Sequence, residues 1–335
     1  MTSTEMNDLT SCWIPLIAVV ISYQQSYLTL HACIAAFIIG CIITLESYQH
    51  SVMLLTFFFI SSLCTKYQHT YKLQLMPWVQ INNKNNDKNN ALQPSNARDY
   101  TQVLSIGIIP TVLILCHPIY MNLLSHHTIN YIYGIYISIS LGDTLSSELG
   151  MLAGTQPRLI TSGEQVRHGT DGAITLLGLN CAAAGGLIIG CIDVLYNGWN
   201  MILLENYVIY ATMGSVFDSI IGALYQSKLV STMQSQSQSH GNIDTGAKIL
   251  WKQLNNLVNI VSSIITCLIA YYMERQYLRA GIHADIALYV MMWLLLFRRI
   301  PNPLSGFWTH KKSTNTAPPI EKQNNKKSAI KSKNK

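Results

Sequence analysis

The chain has 335 residues, of which 49% are hydrophobic and 11% charged, and its net charge is +6; its mean hydropathy is +0.24. Soluble domains carry about 25% charged residues, so a soluble globular enzyme of this length is excluded, as are disordered and collagen-like chains. What fits is an all-α, polytopic helical membrane bundle, with room for roughly seven to nine spans of about 20 apolar residues.

In chain order, the apolar segments are Cys12–Tyr23, Leu28–Leu45, Ser51–Thr65, Thr101–Met121, Ile129–Leu149, Gly172–Leu195, Met201–Leu224, Leu254–Met273 and Ile282–Phe297. The first is short and is followed by Gln24 and Gln25, which suits an interfacial helix. The eight cysteines lie in or beside these segments with no C-x-x-C pair, so they read as small apolar packing residues. The amino-terminal stretch carries Glu5 and Asp8 and no basic residue, unlike a signal or transit peptide.

Basic residues alternate between connections. Segment 66–99 holds Lys66, Lys72, Lys84, Lys88 and Arg98; segment 150–171 holds Arg158 and Arg167; segment 225–253 holds Lys228, Lys248 and Lys252. From Arg298 onward lie ten of the 22 Lys and Arg residues, against Arg275 and Arg279 in the opposite connection. Two spans separate each basic connection from the next, and the positive-inside rule assigns that side to the cytosol. Residues 1–300 therefore read as a multispan membrane domain with flexible cytosolic loops near 66–99 and 226–252. Residues 301–335 read as a basic, disordered cytosolic tail. The Asn/Lys run Asn82–Asn90 and the Gln/Ser run Gln234–His240 fall in those loops. The bilayer is the expected partner, the host an intracellular membrane such as the endoplasmic reticulum, and nucleic acid is not expected to bind.

Carboxylates within spans each cost several kcal/mol unless paired or hydrated. Asp193 and Glu205 lie near segment ends, where polar groups reach water. Asp143 and Asp218 lie deeper. Asp143 opens Gly142-Asp143-Thr144-Leu145-Ser146-Ser147-Glu148-Leu149-Gly150. On a straight helix Asp143 shares a face with Ser147 and diverges from Glu148; unwinding near Gly150 would let the two carboxylates converge. The choice is between a cation or phosphate site and a polar helix end.

The next connection runs Thr155-Gln156-Pro157-Arg158-Leu159-Ile160-Thr161 and then Gly169-Thr170-Asp171-Gly172. Glycines on either side of Thr170 let backbone N–H groups approach an anion. A helix starting at that point would aim its positive end at the same place, with Arg158 and Arg167 as phosphate contacts. A plain capping turn is the alternative, and no Walker A signature is present. Gly178, Ala182, Gly186 and Gly190 make a small-residue stripe for helix packing. Asp218 lies between Gly214 and Gly222. Asn255 and Asn259 are spaced to share a helix face, as helix glue or as a head-group contact.

The ordered set Gly142-Asp143-Thr144-x-x-Ser147-Glu148-x-Gly150, Pro157-Arg158-Leu159-Ile160-Thr161 and Gly169-Thr170-x-Gly172 resembles the transmembrane protein 19 family, which includes the plant phytyl-phosphate kinase. The resemblance spans about Tyr27 to Tyr272. It takes in Arg98-x-x-x-Gln102, Gly107, Pro110, Asp218-Ser219-x-x-Gly222 and Asn255-Asn256-x-Val258-Asn259. The sequence departs from the family at Gly142, Leu145 and Ser146, where the family has Ala, Trp and Ala. It departs also at Gln165 and Arg167, where the family has Lys and Pro, and at Ala173, Ile106 and Leu254.

The resemblance implies phosphorylation of an isoprenoid monophosphate, with CTP or ATP as donor. It casts Asp143, Glu148 and Asp218 as catalytic ligands of Mg²⁺. Arg158, Arg167, Gly169, Thr170 and Gly172 become the nucleotide phosphate cradle, with Ser147, Asn255 and Asn259 as substrate-binding or structural polar groups. A noncatalytic membrane protein and a small-solute transporter remain the alternatives.

Overall fold

The computed structural model describes residues 11–75, 97–116, 119, 124–240, 245–280 and 292. The expected last span, the Asn/Lys run and the basic tail lie outside the described residues. The elements are α1 (Trp13–Gln24), α2 (Leu30–Glu46), α3 (Tyr48–Lys66), α4 (His69–Leu75), α5 (Tyr100–Leu115), α6 (His126–Gly150), β1 (Arg158–Leu159), β2 (Ala173–Ile174), α7 (Leu176–Asn197), α8 (Met201–His240) and α9 (Thr245–Ala280). Three of these are long and apolar enough to cross a membrane among the described residues: Leu176–Asn197, Met201–Tyr225 and Ile249–Gln276. α1, α2 and α5 are shorter apolar helices.

The bundle is built around α6, which packs on α3, α5, α7, α8 and α9. Its buried positions, among them Ile129, Tyr131, Tyr133, Ile135, Ile137 and Leu141, run round the whole helix. Facing protein on all sides, it carries Gly, Ser and Tyr that a lipid-facing helix would expose to hydrocarbon at a cost. Tyr133 Oη donates to the His50 carbonyl at 2.9 Å, tying α6 to the start of α3. Glycine lets the neighbours come close. A Cβ on Gly185 of α7 would lie 2.6 Å from Gly142 Cα, and one on Gly186 2.4 Å from the Tyr207 carbonyl oxygen. The stripe from Gly178 to Gly190 thus wedges α7 between α6 and α8, as its spacing predicts.

The outside is apolar. Leu257, Val261, Ile264, Ile265 and Leu268 line one face of α9, with Leu257 54% and Leu268 62% exposed. α1 and α2 expose Trp13, Ile17, Leu30, Ile34 and Ile38. A water-soluble protein does not present such faces; lipid covers them.

α1 runs antiparallel along α2, with Pro15 against Gly40 and the Gln25 carbonyl receiving Lys66 Nζ of α3. One sequence expectation is corrected. Loop 226–252, with its Gln/Ser run, is largely helical: α8 continues to His240 and α9 begins at Thr245. Gln and Ser tolerate helix well enough that a continuous hydrogen-bonded backbone absorbs a polar stretch.

The basic connections gather at one end of the bundle. Arg98 exchanges backbone hydrogen bonds with Tyr27 and Thr29. Lys252 pairs with Asp99 at 2.6 Å and Lys72 with Glu148 at 2.7 Å. The opposite end holds a different network. Asp193, expected near an interface, is 4% exposed and accepts from Gln49 Nε2 and from Asn197 Nδ2, the latter at 2.8 Å. Glu205 is exposed, as expected of a residue near a span end.

Candidate functional site

Asp143 projects from the loop-side third of α6, close to Ser215 of α8. One turn further along α8, Asp218 receives Ser262 Oγ of α9 at 3.4 Å. Asn259 Nδ2 donates to Asp218 Oδ1 at 2.9 Å and to the Asn255 carbonyl, also at 2.9 Å. The charges of both Asp143 and Asp171 act on Asp218. Asp171 comes from the Gly-Thr-Asp-Gly loop and accepts Trp251 Nε1 of α9 at 2.9 Å. Three acids from three separate elements therefore lie within electrostatic reach of one another toward the basic end. Asp143 lies seven residues before Gly150, about 10 Å in by helical rise.

The loop reaches this place because it is not a loop throughout. Leu159 and Ala173 pair in a short antiparallel ribbon, as do Arg158 and Ile174. Ile160 and Ile174 pack with Leu179, Val216 and Ala223. Gly172, at φ +76°, lies against α8, where a Cβ would stand 2.4 Å from that of Ala223. Only glycine takes both that conformation and that contact. This fixes the loop backbone beside Asp171 on α8.

The helix start expected at Gly172 is corrected. α7 begins at Leu176, not Gly172, because β2 intervenes and Thr175 caps the helix, its Oγ1 accepting Gly178 N at 3.0 Å. The free donors of that helix are partly taken by its own cap. Thr170 closes a turn, its amide and hydroxyl both donating to the Arg167 carbonyl. Arg158 Nη1 donates to the Gly163 carbonyl at 2.7 Å, bracing the ribbon turn. Arg167 is exposed, and Gly169 at φ +78° shapes the turn before Thr170.

The expected carboxylate trio also separates. α6 stays helical through Gly150, so Asp143 and Glu148 diverge. Glu148 turns to α4, where Lys72 Nζ, 2% exposed, binds it and also donates to the Cys64 carbonyl at 2.5 Å. Ser147 is exposed and donates to the Thr144 carbonyl. Among the described residues no three Asp, Glu, His or Cys side chains are placed to hold a metal ion.

Asp171, Trp251, Lys72 and Arg98 were not among the residues the sequence picked out for chemistry. Asp171 stood inside a recognised motif at a position read as a spacer. Lys72 counted toward topology alone, and Arg98 toward topology and as part of the Arg98-x-x-x-Gln102 resemblance, with no role given to it.

The sequence matches the family described as integral membrane protein DUF92 over residues 13–267. The chain belongs to this family of helical integral membrane proteins. It is 28% identical over 269 residues to Protein PGR of Arabidopsis thaliana, covering 73% of this chain and 88% of the plant protein. It is 32% identical over 181 residues to a Methanocaldococcus jannaschii protein described as an uncharacterized membrane protein, MJ0933, covering 54% of this chain and 67% of the archaeal one. No solved structure matches the chain.

Proposed function

We propose that the protein is a lipid-phosphate kinase-like phosphotransferase acting on an isoprenoid monophosphate. The observation that carries this is that the charges of Asp143 and Asp171 both reach Asp218, three acids from three elements toward the basic end of an otherwise apolar bundle. Phosphoryl transfer asks for charge neutralisation and alignment rather than covalent protein chemistry. An oxygen of the acceptor monophosphate would attack the terminal phosphorus of CTP or ATP, whose bond to the bridging oxygen breaks; lipid diphosphate and nucleoside diphosphate result. Asp143 and Asp218 would hold Mg²⁺, which supplies charge neutralisation when bound. Asn259 and Ser262 orient Asp218, Ser215 orients Asp143, and Asp171 with Trp251 closes the site toward the aqueous side. The transmembrane protein 19 resemblance supports the same reaction class, and positive-inside orientation would put the site at the cytosolic face of an intracellular membrane, where nucleotide is available.

The second reading is a noncatalytic membrane protein. Glu148 and Arg158, both expected in the machinery, are engaged by Lys72 and Gly163, and this favours it. A transporter would need Asp143 and Asp218 on a water path at the bilayer centre; their place on the loop side of their helices supports the kinase instead.

The test is transfer by the purified protein from CTP or ATP to phytyl, farnesyl and geranylgeranyl monophosphates. Asp143→Asn is expected to insert normally and to lose at least about 100-fold in turnover, as when a preorganised electrostatic group is removed. Turnover that survives Asp143→Asn unchanged would exclude this role.

A further inference from the structure

A cavity of ≈ 80 Å³ lies between α1, α2, α3 and α5. Pro15, Ala18, Ala36, Phe57, Phe58 and Val103 are among its walls, and Arg98 is the charged residue in its described lining. It is about half the size of an apolar cavity that admits benzene, so it takes a short stretch of a chain. Ala36, Phe58 and Val103 are partly exposed, which leaves the rest of such a chain a path outward to lipid.

Arg98 gives the cavity its polarity. Nη1 donates to Ser61 Oγ at 3.0 Å and Nη2 to Thr65 Oγ1 at 3.4 Å, both neutral hydroxyls. Glu148 is the acid whose charge reaches Arg98, yet its carboxylate is bound by Lys72. Among the described residues the cluster is thus two cations around one acid. A guanidinium stays ionised in any protein setting. An excess of positive charge in the wall of an apolar slot matches a ligand with an anionic head and one apolar tail. The charged wall of the slot also lies on the side of the carboxylates. The next residue, Asp99, is bound to Lys252, whose neighbour Trp251 is bound to Asp171 of the carboxylate site.

We infer that this cavity is the binding slot for a single-chain lipid monophosphate, its phosphate on Arg98 and the first part of its chain between Phe57, Phe58 and Val103. The inference rests on the proposed reaction in taking this lipid to be the acceptor, but the slot itself is measured by binding without nucleotide.

The experiment is equilibrium binding of farnesyl monophosphate to the purified chain in detergent, without nucleotide. Farnesol and inorganic phosphate serve as competitors. Ala36→Phe fills the slot from α2, and Ile38→Phe, on the lipid-facing side of the same helix, is its control; Arg98→Gln removes the charge. Thermal unfolding is recorded for each variant. Farnesyl monophosphate is expected to bind, with Ala36→Phe and Arg98→Gln weakening it at least tenfold, Ile38→Phe binding as the parent, and neither competitor displacing it at equal concentration. Binding unchanged in a folded Ala36→Phe protein would overturn the slot, as would full displacement by inorganic phosphate. Should Arg98→Gln fail to fold, Ala36→Phe against Ile38→Phe still decides. Slot-dependent binding without transfer from any nucleotide would leave the slot standing and remove the kinase. Transfer abolished by Asp143→Asn, together with binding indifferent to Ala36→Phe, would do the reverse.

Discussion

Burial pushes the Asp171 carboxyl up to about 6, and the Trp251 indole N–H partly opposes this by favouring the ionised form. An exposed aspartate titrates near 3.9, so the folded loop binds a proton more tightly than the unfolded chain does. That contribution to stability is full below about pH 4 and fades as pH rises through about 6. Asp99, by contrast, is held below the usual carboxylate range: its burial pushes upward, but hydrogen bonds from Lys252, Thr101 and Gln102 outweigh it. Two acids at one end of the bundle thus titrate apart. Trp251 emission in the parent protein, less that in Asp171→Asn, is expected to titrate with a midpoint near pH 6. A flat difference between pH 5 and pH 8 would show that the loop carboxyl does not sit under Trp251. Turnover by the parent protein should fall over the same interval on acidification, since a protonated Asp171 withdraws a negative charge from the site.

At the level of the helix, what brings Asp143 and Asp218 together is the thinness of α7. Gly142 and Gly185 meet backbone to backbone, and Gly186 fits under Tyr207 and Ala211 of α8. Side chains at these positions would hold α6 and α8 apart and part the two carboxylates. Gly185→Val is expected to cost about 1–3 kcal/mol of stability through overpacking and to reduce activity with it. Gly154→Ala, where a Cβ meets nothing within 4 Å, should stay within about 0.5 kcal/mol. Denaturant unfolding in a fixed detergent distinguishes the two; equal midpoints would mean that α6 and α7 do not touch at Gly142 and Gly185. Asp143 and Glu148 of α6 belong to one recognisable string, but the unbroken helix sends them to different neighbours, one toward α8 and the other to α4.

Over the whole molecule, chain direction alternates so that Lys66, Lys72, Arg98, Lys252 and the loop before α7 share one end, while Gln49, Asp193 and Asn197 share the other. Single cysteines at Gln68 and Gly154, in a background stripped of the eight native ones, are expected to react with an impermeant thiol reagent from the same side of sealed vesicles, and a cysteine at Trp199 from the opposite side. Labelling of Gln68→Cys and Trp199→Cys from one side would overturn the alternation. Lipid-facing α9 and protein-facing α6 also divide the labour: the first supplies apolar surface, the second carries polar groups inward.

The sequence by itself determined the class. Low charge, long apolar segments and alternating basic connections leave a helical membrane bundle, because hydrocarbon admits a backbone only when its own hydrogen bonds satisfy it. It also marked Asp143, Asp218, Asn259 and the glycine stripe, since carboxylates and small residues stand out against apolar runs. Tertiary structure alone decided which of the marked residues meet. Asp171 entered the pocket because Gly172 lies flat on Ala223; Glu148 left it because Lys72 was nearer along its helix face; Arg98 became the pole of an apolar slot because α1, α2, α3 and α5 close round it. Such pairings join residues far apart in the chain, and local spacing says which face a side chain occupies but not which neighbour faces it.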